Sequence, residues 1–354
     1  MKDRDDNDCH SVQQKLKALS DQFMNPPQPQ NLTHEELRHY KDVEETPFEQ
    51  LLARADELKD ESHLILERPV VRDEVTKVVR DLKPNKAAGP DDVHNALLKK
   101  IPMRAWTEIT KVFNACLREG VYPEVWNAAD VVPVPKPGKK LDRPEHYRPI
   151  AVSSCMGRVL EKVLADRLQT FCVVRRVFSS NQCGFQPNRR TADVITMLLN
   201  DARECLDSNR PCVMIAVDFS KAYDTVWHAG LLRKLATIYG VGGTFLRWVQ
   251  SFLGGRKMRV KCMGETSAWR RTRCGVPQGS SLSPLLFILY TNDFVVQNPD
   301  HVNVGVFADD TALWTKKEYD FRDKTMLQME LEHLARWCRR WRLVINPSKT
   351  ECCE

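Results

Sequence analysis

Apolar residues recur along this 354-residue chain with two periods, and the switches between them mark out its elements. Val75, Val78, Val79 and Leu82 stand at helical spacing, which predicts a helix over 72–82 that stops at Lys83-Pro84. Further helices are predicted over 93–100 and 104–119, the latter ended by Gly120. The stretch from Ala129 to Pro137 reads as a strand with a basic tip at Lys136, Lys139 and Lys140; its prolines confine it to an edge or a hairpin, and Tyr147-Arg148-Pro149-Ile150 returns as its partner. Ser153 or Ser154 caps a helix whose stripe is Val159, Leu160, Val163, Leu164, Leu168 and Phe171. Thr191 caps another, with Val194, Leu198, Ala202 and Cys205 inward. The continuous run Cys212-Val213-Met214-Ile215-Ala216-Val217 predicts a strand buried on both faces, ending at Asp218.

Helical spacing resumes through Leu231, Leu235 and Ile238, then through Phe245, Trp248, Val249 and Phe252 up to Gly254-Gly255. Met258, Val260 and Cys262 alternate with Arg259 and Lys261, the pattern of a half-exposed strand with a basic outer face. A return strand, a glycine-bounded loop at 275–281 and a helix with Pro284 in its first turn follow. Val302, Val304 and Val306, then Ala312, Leu313 and Trp314, flank a tight turn at Asp309-Asp310 and predict a hairpin. Leu327, Leu331, Leu334, Cys338 and Trp341 define the last helix. By contrast, residues 1–45 are polar and interrupted by Asn25-Pro26-Pro27-Gln28-Pro29-Gln30, so 1–61 reads as a flexible leader with one short amphipathic helix after residue 46. The class is α+β.

Composition changes this picture little. Fifty-three Lys and Arg against 47 Asp and Glu give a net charge of +6, which permits a nucleic-acid partner without demanding one. No apolar run reaches membrane-spanning length, and the N-terminus is too charged for a signal peptide. The 12 cysteines are scattered, with no Cys-x-x-Cys, and read as reduced core thiols of a nuclear or cytosolic protein rather than a zinc site.

The candidate chemistry lies in the acidic residues at strand ends. Asp-Asp pairs also stand at Asp5-Asp6 and Asp91-Asp92, so a pair by itself fits a solvated turn. Asp309-Asp310 differs in being framed by apolar residues on both sides, with Asp218 at the end of another buried strand. Carboxylates brought together there repel and are costly to desolvate, and divalent cations remove that cost. Hard oxygen donors select Mg²⁺ or Mn²⁺, and two such ions support phosphoryl transfer. The basic tip at Lys136, Lys139 and Lys140 is either an ordinary exposed loop or a cationic screen for a triphosphate.

These segments carry a family resemblance. Ala216-Val217-Asp218-Phe219-Ser220-Lys221-Ala222-Tyr223-Asp224, Gly275-Val276-Pro277-Gln278-Gly279-Ser280, Phe307-Ala308-Asp309-Asp310 and Asn346-Pro347-Ser348-Lys349-Thr350 stand in the order of the polymerase motifs of reverse transcriptases. The style resembles that of non-LTR (LINE-like) retrotransposons. Leu82-Lys83-Pro84-Asn85-Lys86-Ala87-Ala88-Gly89-Pro90-Asp91, Tyr147-Arg148-Pro149-Ile150 and Gln182-Cys183-Gly184-Phe185 resemble the finger motifs of that group, so the match covers roughly 65–350.

The resemblance implies a right-hand polymerase with a fingers-like region over 62–190 and a palm over 191–354, its antiparallel sheet backed by helices. It implies an RNA-directed DNA polymerase that uses dNTPs, an RNA template, a DNA primer and two Mg²⁺ (or Mn²⁺) ions. Asp218 and Asp309 would be the metal-binding pair, with Asp310 beside them and the Phe219 carbonyl as a further ligand. Tyr223 would be the aromatic gate against a 2′-hydroxyl, and Gln278 and Gly279 would line nucleotide and template. Arg148 and Lys136 would lie over the triphosphate, with Lys139 or Lys140 as substitutes, and Lys349 near the pyrophosphate. Asp224 is assigned to helix capping or structure.

One departure stands at the end. Only five residues follow Lys349, so the reading expects no thumb and a truncated piece of a larger polyprotein whose thumb and endonuclease lie elsewhere. A catalytically inactive nucleic-acid-binding remnant is the competing function, and a maturase-type enzyme a further one. An RNA-dependent RNA polymerase is disfavoured by Tyr223, since such an enzyme must admit the 2′-hydroxyl.

Overall fold

The computed structural model of the chain describes residues 1–297, 299–315 and 321–354, the last span without the side chains of 321–324. Its first three helices are α1 (Val12–Met24), α2 (His34–Glu45) and α3 (Phe48–Glu57). Helices α4 (Leu64–Glu67), α5 (Arg72–Asp81), α6 (Asn95–Leu98) and α7 (Met103–Glu119) lead to the hairpin of β1 (Ala128–Pro135) and β2 (Tyr147–Ser153). Two long helices, α8 (Cys155–Val174) and α9 (Thr191–Asp207), precede β3 (Met214–Val217). Then come α10 (Ala222–Thr225), α11 (His228–Thr237), α12 (Gly243–Leu253), β4 (Lys257–Cys262), β5 (Glu265–Thr266), β6 (Arg270–Arg271) and α13 (Ser283–Thr291). The hairpin of β7 (Val302–Phe307) and β8 (Asp310–Thr315), helix α14 (Phe321–Arg340) and β9 (Glu351–Cys353) complete the order.

Two sheets result. One has the order β2-β1-β4-β5, with β6 beside β4; the other has the order β7-β8-β3-β9. The second is antiparallel throughout, and β3 lies between β8 and β9. Strand β1 differs from expectation: besides pairing with β2, it pairs in parallel with β4 from Ala128 to Val131. Pro133 and Pro135 lie beyond that stretch, where only β2 is a neighbour, so the missing N–H groups cost no ladder bond on the β4 side. Because β4 to β6 come from the 191–354 span, the sheet of the expected fingers-like region is completed by residues beyond 190.

The helices cap and pack as their sequences dictate. Ser154 caps α8 through its hydroxyl, which accepts from the Gly157 N–H, and Gly120 ends α7 in the left-handed region at φ 66°. One apolar core runs from Tyr40 to Leu343 and takes in α8, α11, α12, α13 and the inner face of the second sheet. Helix α14 packs on β7 and β8, and α9 packs on β7, where Asp201 accepts from Trp314 Nε1 (2.7 Å) and Asn303 Nδ2 (3.0 Å).

The expected flexible leader is corrected. Helix α1 buries Leu16, Leu19 and Phe23 against Val131 and Val260 on the face of the first sheet. Helix α2 places Tyr40 and Val43 in the main core, and Arg339 and Arg342 pair with its Glu36 (2.8 Å) and Glu44 (2.6 Å). Helix α3, the one helix foreseen there, packs on α11. All twelve cysteines are unpaired; six are buried, but Cys352 and Cys353 are exposed and so are not the core thiols expected of them. Among the described residues no helix is long and apolar enough to cross a membrane.

Candidate functional site

Strand register assembles the acidic residues. Val217 on β3 faces Thr311 on β8, so the next residue, Asp218, comes alongside Asp310. Phe307 pairs with Asp310 and leaves Ala308 and Asp309 as a two-residue loop. Ala308 takes a positive φ of 60° and Asp309 does not, the pattern of a II′ hairpin turn, which favours glycine at the position Ala308 occupies. After α14 the chain returns to brace Asp218: Phe219 bridges to Ile345, and the Asn346 N–H donates to the Asp218 carbonyl at 2.8 Å. Asn346 Nδ2 donates to Asp218 Oδ2 at 3.0 Å, and Lys349 Nζ lies 3.3 Å from both carboxylate oxygens.

The Asp309 carboxyl is pushed up by burial and, further, by the charges of Asp310 and Asp218, while Lys349 opposes them. A cation at this turn would relieve that charge, and the donors are all hard oxygens, which fits the magnesium class. The expected convergence of three carboxylates on one point is not found as drawn. Among the described residues no three His, Cys, Asp or Glu side chains are grouped to hold one ion. Asp309 lies in the loop and Asp310 starts a strand, and neighbouring residues in extended chain point to opposite sides. Asp218 and Asp310 face each other across the ladder, and the charge of each also reaches Asp309 in the turn.

Around the pair stands a cationic arc. Lys136 follows the β1–β2 ladder in which Val134 faces Arg148, and its N–H donates to the His146 carbonyl at 2.8 Å. Burial lowers the Lys136 pKa; the charges of Lys349 and Arg148 add to this, and Asp218 opposes it. Those four side chains thus share one field. Arg148 and Lys349 are exposed, Lys136 half-buried. The tip residues Lys139 and Lys140 are exposed too, and Asp218 is half-buried.

Tyr223 stacks on Phe287 at 4.8 Å and 15°, and burial together with the Asp309 charge raises its hydroxyl well above the ordinary value. The loop at 275–280 is tied to it, since the Val276 N–H donates to the Tyr223 carbonyl at 2.8 Å. The Gln278 carbonyl accepts from the Ala151 N–H at 2.8 Å, joining the loop to β2. Gly279 has φ 125°, and a Cβ there would come within 2.6 Å of the Ala151 oxygen, so the position requires glycine. The Gln278 side chain does not stand free: its Nε2 donates to Asp224 Oδ1 at 3.1 Å. Asp224 thus serves structure rather than capping, and burial pushes its carboxyl up to about 6. A groove of about 480 Å³ opens beside Asp218 and Asp310, walled by Ile195 and Val194 of α9 and by Lys349.

The family described as reverse transcriptase (RNA-dependent DNA polymerase) matches residues 134–354, more than half of the chain. The chain belongs to that family. It is 33% identical over 294 residues to a probable RNA-directed DNA polymerase from transposon BS of Drosophila melanogaster, covering 80% of this chain and 32% of that protein. It is 31% identical over 287 residues to the RNA-directed DNA polymerase from mobile element jockey of Drosophila funebris, covering 79% and 31%. A probable RNA-directed DNA polymerase from transposon X-element of Drosophila melanogaster is 31% identical over 282 residues, covering 78% and 31%. The chain therefore spans about a third of the length of the curated relatives it matches.

Three residues of this reverse transcriptase chain carry parts that sequence reasoning left unassigned. Asn346 was legible only as a motif member, yet its side chain and N–H both hold Asp218. Glu161, buried in α8, accepts from Tyr122 Oη at 2.6 Å and Ser280 Oγ at 2.5 Å, and so anchors the Gly279 loop. A charged residue inside the stripe of Leu160 and Leu164 was its only signal. Gln182 is likewise buried, and its side chain reaches the Asp309 turn.

Proposed function

We infer that this chain is the polymerase part of a non-LTR retrotransposon reverse transcriptase, which extends a DNA primer with deoxynucleotides on an RNA template. The observation that carries the reading is the adjacency of Asp218 and the Asp309-Asp310 hairpin across β3 and β8, under the cations Lys136, Arg148 and Lys349. In this reading the sheet β7-β8-β3-β9 is the palm and the sheet built on β1 and β2 is fingers-like. Asp218, Asp309 and the Phe219 carbonyl would hold two Mg²⁺ (or Mn²⁺) ions, with Asp310 adding charge. When bound, such ions activate the attacking oxygen and neutralise the leaving group.

The reaction joins the primer 3′-oxygen to the α-phosphorus of the dNTP. The 3′-hydroxyl proton is lost, the bond from that phosphorus to the bridging oxygen breaks, and pyrophosphate leaves. Lys136, Arg148 and Lys349 would grip the triphosphate by charge-assisted contacts. Tyr223 would close the space that a 2′-hydroxyl needs, and Gly279 would let the backbone approach nucleotide and template. The further domains of a polyprotein would act with it, in the nucleus or cytoplasm, where RNA and DNA substrates are at hand.

The test is primer extension on an RNA template with Mg²⁺, using the full chain and its Asp218→Ala and Asp309→Ala variants. Incorporation by the parent and its loss in both variants is the expected result. Salt-dependent RNA binding with no incorporation by the parent under either metal would instead favour a binding remnant.

A further inference from the structure

The motif Gln182-Cys183-Gly184-Phe185 has no part in the chemistry described so far, yet it packs directly under the Asp309 turn. Gln182 bridges in parallel to Val306 on β7. The Cys183 N–H donates to the Val306 carbonyl, and the Val306 N–H to the Asn181 carbonyl, both at 2.8 Å. The segment thus extends the sheet by a few residues at the edge of the hairpin that carries Asp309. Its far end is moored to α8, where Gln169 Nε2 donates to the Phe185 carbonyl at 3.0 Å.

The Gln182 side chain is 3% exposed, and its amide oxygen accepts two N–H groups at once. One is that of Gly184 at 2.7 Å; the other is that of Ala308 at 3.1 Å. Ala308 is the residue of the turn with positive φ, a conformation that an alanine keeps only when its surroundings impose it. Gly184 presses on the same place: a Cβ built there would overlap the Ala308 nitrogen. An acceptor below and a glycine beside it therefore fix the peptide that enters Asp309.

We propose that Gln182 is a positioning residue for Asp309, clamping the Ala308 N–H so that the Asp309 carboxylate is aimed at Asp218 before substrate arrives. The clamp acts through the turn, not on substrate, and it rests on the polymerase reading above. Its neutrality matters, because a second carboxylate beside Asp309 would add to the repulsion already present. Preorganisation of this kind lowers the barrier to reaction by avoiding rearrangement during the chemical step.

The experiment takes the full chain, its Gln182→Met variant, which keeps length and volume but loses the acceptor, and Gln182→Glu, which restores an acceptor oxygen. Amide exchange at Ala308, read by fragmentation mass spectrometry, reports the clamp without any need for activity. Gln182→Met is expected to speed that exchange well beyond the change at amides remote from the turn, with a melting temperature lowered by a few degrees because two N–H groups lose their acceptor, and Gln182→Glu to restore protection. In primer extension Gln182→Met is expected to lower kcat by about tenfold to a hundredfold, with KM for dNTP nearly unchanged, since one buried donor loses its partner at the reacting centre. Gln182→Glu should recover part of that loss. Gly184→Ala, which displaces Ala308 from the other side, should mimic Gln182→Met in both measurements. Unchanged exchange at Ala308 in Gln182→Met, or faster exchange with kcat at the parent value, overturns the clamp. A parent chain that incorporates nothing overturns the polymerase reading and, with it, the positioning role, even where exchange still reports the hydrogen bond.

Discussion

Lys349 Nζ stands 3.3 Å from both carboxylate oxygens of Asp218, an ion pair between the last motif of the chain and the end of β3. The pair is mostly exposed on the lysine side, so its contribution to stability is small. In the proposed reading, it holds a cation where a triphosphate would reach. Lys349→Ala is expected to lower the rate of nucleotide incorporation about a hundredfold, the scale of losing one preorganised charge partner, while Lys349→Arg retains most of it. Thermal unfolding of both variants should follow the parent. A rate that stays at the parent value in Lys349→Ala would remove this lysine from the catalytic arrangement.

Tyr223 lies flat on Phe287, and its hydroxyl feels the charge of Asp309. A ring held in that way is a fixed wall rather than a swinging one. Tyr223→Ala is expected to raise ribonucleotide use relative to deoxynucleotide use at least about tenfold, measured as the ratio of kcat/KM values. Phe287→Leu, which leaves the tyrosine but loosens its support, should shift the ratio in the same direction by less. Equal discrimination in all three proteins would mean that the sugar is read elsewhere.

Helix α2 introduces a pH dependence. His39 packs edge-on against Trp341 at 5.0 Å, its buried Nε2 has no hydrogen-bond partner among the described residues, and Arg340 and Arg233 lie near, with Asp42 opposing. Burial, helped by those arginines, lowers its pKa from 6.5 to about 4. Between those values the unfolded chain binds the proton and the folded one does not. Stability from this group is therefore complete above pH 6.5 and is lost as pH falls toward 4. The loss is about 1–2 kcal/mol after allowing for partial exposure. His39→Phe should flatten the fall in melting temperature across that window, and a fall as steep as the parent's would assign the acid sensitivity to other groups.

The reach of the sequence can be judged residue by residue. Helix α8 was legible because Val159, Leu160, Val163, Leu164 and Leu168 repeat at helical spacing and all are buried. The strand before Asp218 and the turn at Asp309 were legible because apolar runs end there. Helix α1 was not: Leu16, Leu19 and Phe23 are sparse among charges, and they are paired with Val131 and Val260, more than a hundred residues away. The proline-rich segment after it breaks the helix without making the segment before it disordered. Positions of Asp218, Tyr223, Gly279 and Lys349 could be named from their motifs, but the braces beneath them could not. Gln182 and Asn346 act through loop-to-strand pairings that no local period records.

Glu161 offers the sharpest separation of support from chemistry. Its carboxylate lies in the core, accepts from Tyr122 Oη and Ser280 Oγ, and faces the buried Arg256, whose guanidinium it helps to keep charged against burial. Ser280 Oγ in turn accepts from the Leu282 N–H at 3.1 Å, at the start of α13. Glu161→Gln keeps the shape but removes the charge, leaving Arg256 buried with less compensation. It should cost about 3 kcal/mol and lower the melting temperature by several degrees. Because the Gly279 loop loses an anchor, KM for dNTP should rise more than kcat falls. Ser280→Ala breaks the anchor and the Leu282 N–H contact but leaves the Glu161 charge beside Arg256, so it should reproduce the KM change with about 1–2 kcal/mol of destabilisation. A Ser280→Ala protein with the parent's KM would show that Glu161 stabilises the core alone and that the loop is fixed by the Ala151 and Tyr223 hydrogen bonds.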